Sequence, residues 1–249
     1  MGGDAISLPE IRYGQLQNPL YKKLILWTLN HADEVTALTQ YLINNLRRTG
    51  IKRQAIKIIP FGIDTILFSF QEKPFREEIE FLHIANLHPV KDQDTLLRAF
   101  KIISDKVQAR LTIIGEGISA REVKALVMEL GLENKVKIFK LLSYEEVSNY
   151  YHQADILLHT SLSEGQGMVV TEAMSCGVIV CGTNVGLLHD LPNCCISVPT
   201  KDYESLAFQI LQLLKNPEHA SMLRQHAYKW TKEHSIWWTV DSIKKLYNR

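Results

Sequence analysis

Asp155-Ile156-Leu157-Leu158-His159, continuing through Thr160-Ser161-Leu162-Ser163-Glu164-Gly165-Gln166-Gly167-Met168-Val169-Val170-Thr171-Glu172-Ala173-Met174, carries the strongest fold signal in the chain. The apolar run up to His159 reads as a strand, the glycines at 165 and 167 as a turn, and the residues beyond them as a helix. A strand entering a helix through a glycine turn forms an anion site. Free backbone N–H groups and the positive end of the helix dipole converge there. Two carboxylates flank it, Glu164 on the turn and Glu172 in the early helix. Each would repel a phosphate, by roughly 1 kcal/mol at ~4 Å in water and about 4 kcal/mol at an effective dielectric of ~20. Hydroxyl groups of the same ligand suit them better, and a ligand with phosphates and many hydroxyls is a nucleotide sugar. Taken alone, the pair is equally well explained as a loop carboxylate and a helix charge that offsets the dipole.

Outward from this stretch the pattern repeats. Strands are predicted over Glu80–Ala85, Ala109–Ile114, Val136–Phe139, Val178–Cys181 and, at an edge, Ile196–Val198. Helices are predicted between them over Asp94–Asp105, Ser119–Leu130 (closed by Gly131) and Ser143–Gln153, the last opened by the capping box Ser143-Tyr144-Glu145-Glu146. Tyr203–Leu214, Glu218–Glu233 and Thr239–Tyr247 follow as helices. Strands alternating with helices of this length predict an α/β fold with a doubly wound, Rossmann-like parallel sheet. Such sheets bind ligands outside the carboxyl ends of their strands, where the strand order reverses. Before this unit, Met1–Asn18 reads as a loop, Pro19–His31 as a core-facing helix with Lys22 and Lys23 on a solvated edge, and Glu34–Thr39 as a strand. A helix over Gln40–Thr49 capped by Gly50 and a strand over Ile56–Ile59 lead to Pro60-Phe61-Gly62-Ile63-Asp64, a turn or hinge.

Composition narrows the function. The 249 residues are 46% hydrophobic and 22% charged with a net charge of +1, which suits a globular chain and lacks the basic excess of a nucleic-acid binder. Cys176, Cys181, Cys194 and Cys195 show no C-x-x-C spacing, so they read as buried thiols in a reducing compartment. No apolar run approaches the ~20 residues of a membrane helix, and Met1–Asp4 lacks the basic and apolar regions of a signal peptide. The expected location is the cytoplasm, with no more than peripheral contact at the inner face of a membrane.

Other stretches are weaker. Gly115-Glu116-Gly117 follows a strand but lacks a third glycine, and no acidic residue ends the next strand, so it reads as a tight turn rather than a dinucleotide loop. Lys91, just before a helix, could bring an ammonium to a strand end where a diphosphate would sit. The histidines have no metal-ligand spacing, and His159 is the one expected near a ligand. No metal and no cofactor are expected.

These motifs, taken in order, resemble the C-terminal half of a retaining glycosyltransferase of GT-B fold, family 4 (group 1). Pro60–Asp64 with Phe68 resembles the hinge motif, and Leu87 through Lys91 the Arg-x(4)-Lys donor motif. Ile113–Gly117, Leu130–Val136 and Tyr150–Asp155 match the units that follow, as do Glu164-x(7)-Glu172, Gly177–Val180 and Asn184–Gly186. Trp237-Trp238 to Tyr247 looks like the closing helix, and Ala32–Thr39 like the last strand of the N-terminal domain. The resemblance implies two parts: residues 1–58, the end of an acceptor-side domain, and residues 59–249, a nucleotide-sugar donor-binding domain with closing helices.

It also implies roles. Lys91 would neutralise the leaving diphosphate, helped by backbone N–H groups of Gly165, Gln166, Gly167, Met168 and Val169. Glu164 would meet the donor sugar's hydroxyls and, with Lys91, form the catalytic pair. Glu172 would hold the ribose, and Phe139 and Lys140 would lie against the base. A hexosyl group would pass with retention, without a metal, to an unidentified sugar, lipid or small-molecule acceptor, with a separate acceptor-domain polypeptide as a partner. Three departures stand out. Asn86 occupies the usual arginine position, which removes a charge-assisted contact worth roughly 1.5–3 kcal/mol. Lys140 stands where a glycine is common, and the chain starts where the acceptor-binding domain should be nearly finished. The rival readings are a non-catalytic nucleotide-sugar-binding subunit or truncated remnant, a glycoside hydrolase using the two glutamates, and a GT-B sugar-nucleotide epimerase.

Overall fold

Both faces of the central strands are apolar, and the chain satisfies both. The computed structural model describes residues 6–72 and 74–247. After a helix α1 (Pro19–His31) come β1 (Thr36–Ala37), α2 (Gln40–Thr49) and β2 (Lys57–Ile58). The main unit runs β3 (Ile79–Ile84), α3 (Gln93–Ser104), β4 (Ala109–Ile114), α4 (Ala120–Glu129), β5 (Val136–Phe139), α5 (Tyr144–Gln153) and β6 (Ile156–His159). It continues through α6 (Met168–Ser175), β7 (Ile179–Thr183), α7 (Leu187–Asp190), β8 (Cys195–Val198), α8 (Tyr203–Leu214), α9 (Pro217–Glu233) and α10 (Ile236–Tyr247).

β3 to β8 form one parallel sheet in the order β5-β4-β3-β6-β7-β8. The chain builds outward from β3 in one direction, then returns to β3's other side with β6, so the order reverses between them. Successive strand residues face opposite sides. Phe81, Ile113, Ile156 and Leu158 enter one core with Leu96, Phe100 and Ile210. Leu82, Ile114, Leu157 and Val180 enter the other with Tyr151, Val170 and Met174. This two-sided burial is why the strands read as continuous apolar runs rather than alternating ones. β1 and β2 pair with each other in a separate two-stranded parallel sheet.

The doubly wound expectation holds, down to the bounds of β4, β5, α2 and α8, and Ser143 makes the anticipated capping box with Glu146. The loop reading of Met1–Asn18 holds for residues 6–18, which contain two short 3-10 turns at Pro9–Ile11 and Gln15–Gln17; residues 1–5 lie outside the described part. The four cysteines are buried, and burial pushes the Cys194 and Cys195 thiols up to about 11 and about 12. α1 corrects one expectation. It is a helix, started by Pro19 and by the Asn18 side chain, which accepts from Leu20 N at 2.9 Å. It is not core-facing: no residue of it is buried, and Leu20, Leu24 and Trp27 are 73%, 58% and 60% exposed. It packs mainly on the Gln15–Gln17 turn, which leaves Ile25, Leu26 and Leu29 half-buried and the rest of its apolar residues exposed. No helix among the described residues is long and apolar enough to cross a membrane.

Candidate functional site

The reversal between β3 and β6 brings two strand ends together, and a cleft of about 360 Å³ opens there. From β3 come Ile84, Ala85 and Asn86; from β6 comes His159; Glu164 through Val169 form the floor, and Lys91 reaches in from the turn before α3. The two loops act as one unit. Thr160 Oγ1 donates to the carbonyls of Lys91 and Asp92 at 3.1 and 3.0 Å, and Leu162 N donates to Val90 O at 2.8 Å. The Gly115–Gly117 turn backs the opposite wall. Leu87 N donates to Glu116 O and Ser119 N to Leu87 O, which supports its reading as a tight structural turn.

Glu164 lies on the loop and is the electrostatic centre. Its Oε1 accepts from Lys91 Nζ at 2.5 Å and from Ser161 Oγ at 2.7 Å, with His159 Nε2 at 3.4 Å. Burial alone would push its carboxyl up, but His159, Lys91 and the two hydrogen bonds outweigh burial and hold it below the usual carboxylate range. His159 is itself pushed down to about 4 by burial, so it is neutral at pH 7 and Lys91 is the cation of the group. α6 begins at Met168 with Gly167 as its N-cap at φ 90°, a left-handed conformation that suits glycine, and no side chain caps this end. A Cβ on Gly167 would also stand 3.3 Å from His159 Nε2.

Glu172 faces away from this cleft. Its Oε2 accepts from the buried Tyr151 hydroxyl at 2.6 Å, and Tyr144 also donates to it. Burial raises its carboxyl, and the two hydroxyls offset this only in part. Tyr144 opens α5 directly after the short loop that follows Phe139 and begins with Lys140. Those two residues stand at the end of β5, two strands over from the cleft. Phe139 packs against Tyr150, and the exposed Lys140 ammonium lies 3.9 Å from Glu116. The structure therefore gathers Asn86, Lys91, Glu164, Gly165, Gln166, Gly167, Met168 and Val169, and leaves Glu172, Phe139 and Lys140 outside that group. A ligand touching both sets would have to run along the carboxyl edge of the sheet.

Gln166 anchors this loop through its side chain. Its side chain is buried and accepts from Phe61 N at 2.8 Å while donating to Phe61 O at 2.8 Å and Thr171 Oγ1 at 3.1 Å. It clamps the glycine turn to the hinge, so only its backbone remains for a ligand. The sequence reading missed the residues that lock this loop from the far side. Thr39 Oγ1 donates to Gly165 O at 2.8 Å, and the Asp190 carboxylate accepts from Gln40 N and Tyr41 N at 2.5 and 3.0 Å, a charge well placed at the start of α2. Leu38, Leu42 and Phe61 complete the cleft wall. Thr39 carries the N-cap signal ahead of α2, but nothing local announces contacts more than a hundred residues away. Gly62 N donates to Thr239 Oγ1 and Ile236 N to Ile63 O, which docks α10 on the hinge. Among the described residues, no group of three or more His, Cys, Asp or Glu is arranged to hold a metal.

Comparison with known proteins gives the class. Residues 65–230 match the family model of glycosyl transferases group 1. The N-acetyl-alpha-D-glucosaminyl L-malate synthase of Bacillus anthracis is 27% identical over 245 residues, covering 92% of this chain and 63% of that protein. The phosphatidylinositol N-acetylglucosaminyltransferase GPI3 subunit of Saccharomyces cerevisiae (strain YJM789) is 27% identical over 191 residues, 73% of this chain and 42% of that protein. The chain thus spans 42 to 63% of the length of these relatives. Among solved structures, Anabaena Alr3699/HepE in complex with UDP and glucose superposes with a TM-score of 0.81 at 20% identity, over 92% of this chain and 67% of that one. Sucrose-phosphate synthase from Thermosynechococcus elongatus superposes at 0.82 and 22% identity, over 97% of this chain and 63% of that one. At such identities the likeness is one of fold, and the sheet is one half of a GT-B fold. The chain belongs to the glycosyl transferases group 1.

Proposed function

We propose that the cleft at the β3–β6 switch point is the donor site of a glycosyltransferase that moves a hexosyl group, with retention, from a nucleotide-diphosphate sugar to a sugar, lipid or small-molecule acceptor. The observation that carries this reading is Lys91 and Glu164 converging beside the uncapped start of α6. A cation and free N–H groups suit a diphosphate, and a carboxylate suits sugar hydroxyls. On this reading Lys91 and the N–H groups of Gly167, Met168 and Val169 stabilise charge on the departing nucleotide, at tenfold in rate per ~1.36 kcal/mol. Glu164 orients the sugar, and Asn86 lines the diphosphate side without adding charge. Glu172, held by its two tyrosines, takes the ribose, with Phe139 and Lys140 toward the base. The two relatives are named for an N-acetylglucosaminyl group, which makes UDP-N-acetylglucosamine the first donor to try.

In the same proposal residues 1–58 are the end of an acceptor-side domain and residues 59–249 the donor domain. The rest of the acceptor side would come from additional sequence or a separate polypeptide, and the protein would work in the cytoplasm, no more than peripheral to a membrane. No resident cofactor takes part; the nucleotide sugar is the substrate. Asn86, uncharged where the diphosphate would lie, favours a second reading, a subunit that binds nucleotide sugar without transferring it. Calorimetry with UDP and GDP sugars, paired with a donor-hydrolysis assay, separates the two. Binding with turnover supports transfer, binding without turnover supports the subunit, and no binding by any of these sugars overturns both.

A further inference from the structure

His159 is the buried group at this site whose chemistry the donor-site reading leaves unused. Its ring ends β6 at 2% exposure, and Nε2 has no hydrogen-bond partner although it lies 3.4 Å from Glu164 Oε1. That same oxygen already takes Lys91 and Ser161. Lys91 is the part of the cluster able to leave. It sits on a long flexible stem with its side chain 23% exposed, whereas Glu164 is 11% exposed and fixed by Ser161. A diphosphate entering the cleft offers Lys91 a stronger partner than a carboxylate it already neutralises. Once Lys91 turns to it, Glu164 keeps its negative charge in a buried site with its cation gone.

We propose that His159 is a positioning residue that takes over Glu164 when Lys91 leaves it for the donor's diphosphate, so that donor binding draws one proton from solvent onto the imidazole. Nε2–H then donates to Glu164 Oε1, and the Lys91–Glu164 ion pair is replaced by an imidazolium–carboxylate pair that holds Glu164 against the sugar. The groups facing the ring are few. Glu164 lies on the loop, Lys91 on the turn before α3 and His83 on the neighbouring strand β3. Gly167 at the start of α6 and Gly182 on β7 present only backbone. His83 is itself held neutral by burial, with Nδ1 against Leu158 O at 2.9 Å. With Lys91 paired to Glu164, the ammonium opposes a charge on His159 and the carboxylate favours one. Moving Lys91 onto a dianionic ligand removes the opposition and leaves the attraction.

This rests on the donor-site reading, and one experiment tells the two apart. UDP-glucose and UDP-N-acetylglucosamine are diphosphate diesters, which do not titrate near neutrality, so any proton taken up on binding comes onto the protein. Each is titrated calorimetrically into the whole chain at pH 6 in buffers of different ionisation enthalpy. The expected result is an enthalpy that varies with the buffer in the direction of proton uptake, and an affinity that falls by up to about tenfold per pH unit as pH rises above the bound-state value. In His159→Gln, which can donate an N–H but not take up a proton, the buffer dependence disappears while the fold, read by its thermal transition, persists. Binding by the wild-type chain with no buffer dependence overturns the role of His159 and leaves the donor site standing. Failure of either sugar to bind overturns the donor site and this inference with it.

Discussion

Glu164 and Glu172 lie eight residues apart in one loop and helix, yet they occupy opposite electrostatic settings. Glu164 is buried among a lysine, a serine hydroxyl and a histidine, and its carboxyl is held low. Glu172 is buried against two tyrosines with no cation, and its carboxyl is raised. The difference follows from where each lies. Glu164 sits on a loop facing a cleft, where a charge can be balanced by a mobile partner. Glu172 sits on the second turn of α6 against α5, where the Tyr151 and Tyr144 hydroxyls reach it. On the proposed reading, the first carboxylate exchanges partners when the donor binds and the second accepts hydroxyls.

The largest effect is expected from removing the cation. Lys91→Ala should weaken nucleotide-sugar binding by tenfold or more, roughly the loss of one charge-assisted bond, and it also strands Glu164. Glu172→Ala should also cost about tenfold or more in affinity, measured by the same calorimetry. Unchanged affinity in both variants would break the division of labour between the two ends of the ligand.

Thermal melts sharpen the contrast, because the two carboxylates act on stability with opposite sign. Glu164's low value means that its ionised form stabilises the fold above the ordinary glutamate range, a contribution lost as pH falls through the lowered value. Glu172's raised value means that its neutral form is the favoured one, so stability is lost as pH rises through the raised value. At pH 7 Glu164→Gln should lower Tm and Glu172→Gln should raise it, by about 2–4 °C for each ~1 kcal/mol in a chain of this size. Shifts of the same sign would contradict the assigned environments. Tyr151→Phe removes one neutral hydrogen bond to Glu172 and should weaken binding only by about two- to tenfold. Gln166→Ala should change affinity least, by less than about threefold. Its side chain holds the hinge rather than the ligand, so its loss should appear in Tm instead.

How much of this was legible beforehand depended on distance along the chain. The α/β alternation, the capping box at Ser143 and the loop position of Glu164 rest on local patterns, and all three stand in the structure. The strand order could be anticipated in kind, because alternating strands and helices leave few other arrangements. The clamp from Gln166 to Phe61 and the cap from Asp190 to α2 join residues 105 and 150 positions apart, and no local periodicity encodes either. α1 failed for the opposite reason. Its apolar spacing was real, but spacing predicts a buried face only where another layer exists to cover it, and the turn packed against α1 buries none of its residues fully.

The most direct test is a crystal structure of the chain with UDP-glucose or UDP-N-acetylglucosamine bound. The diphosphate should lie within hydrogen-bond reach of Lys91 Nζ and the N–H groups that open α6, with the Lys91–Glu164 pair broken. A nucleotide sugar bound elsewhere on the sheet, with Lys91 and Glu164 still joined, would contradict the donor-site assignment.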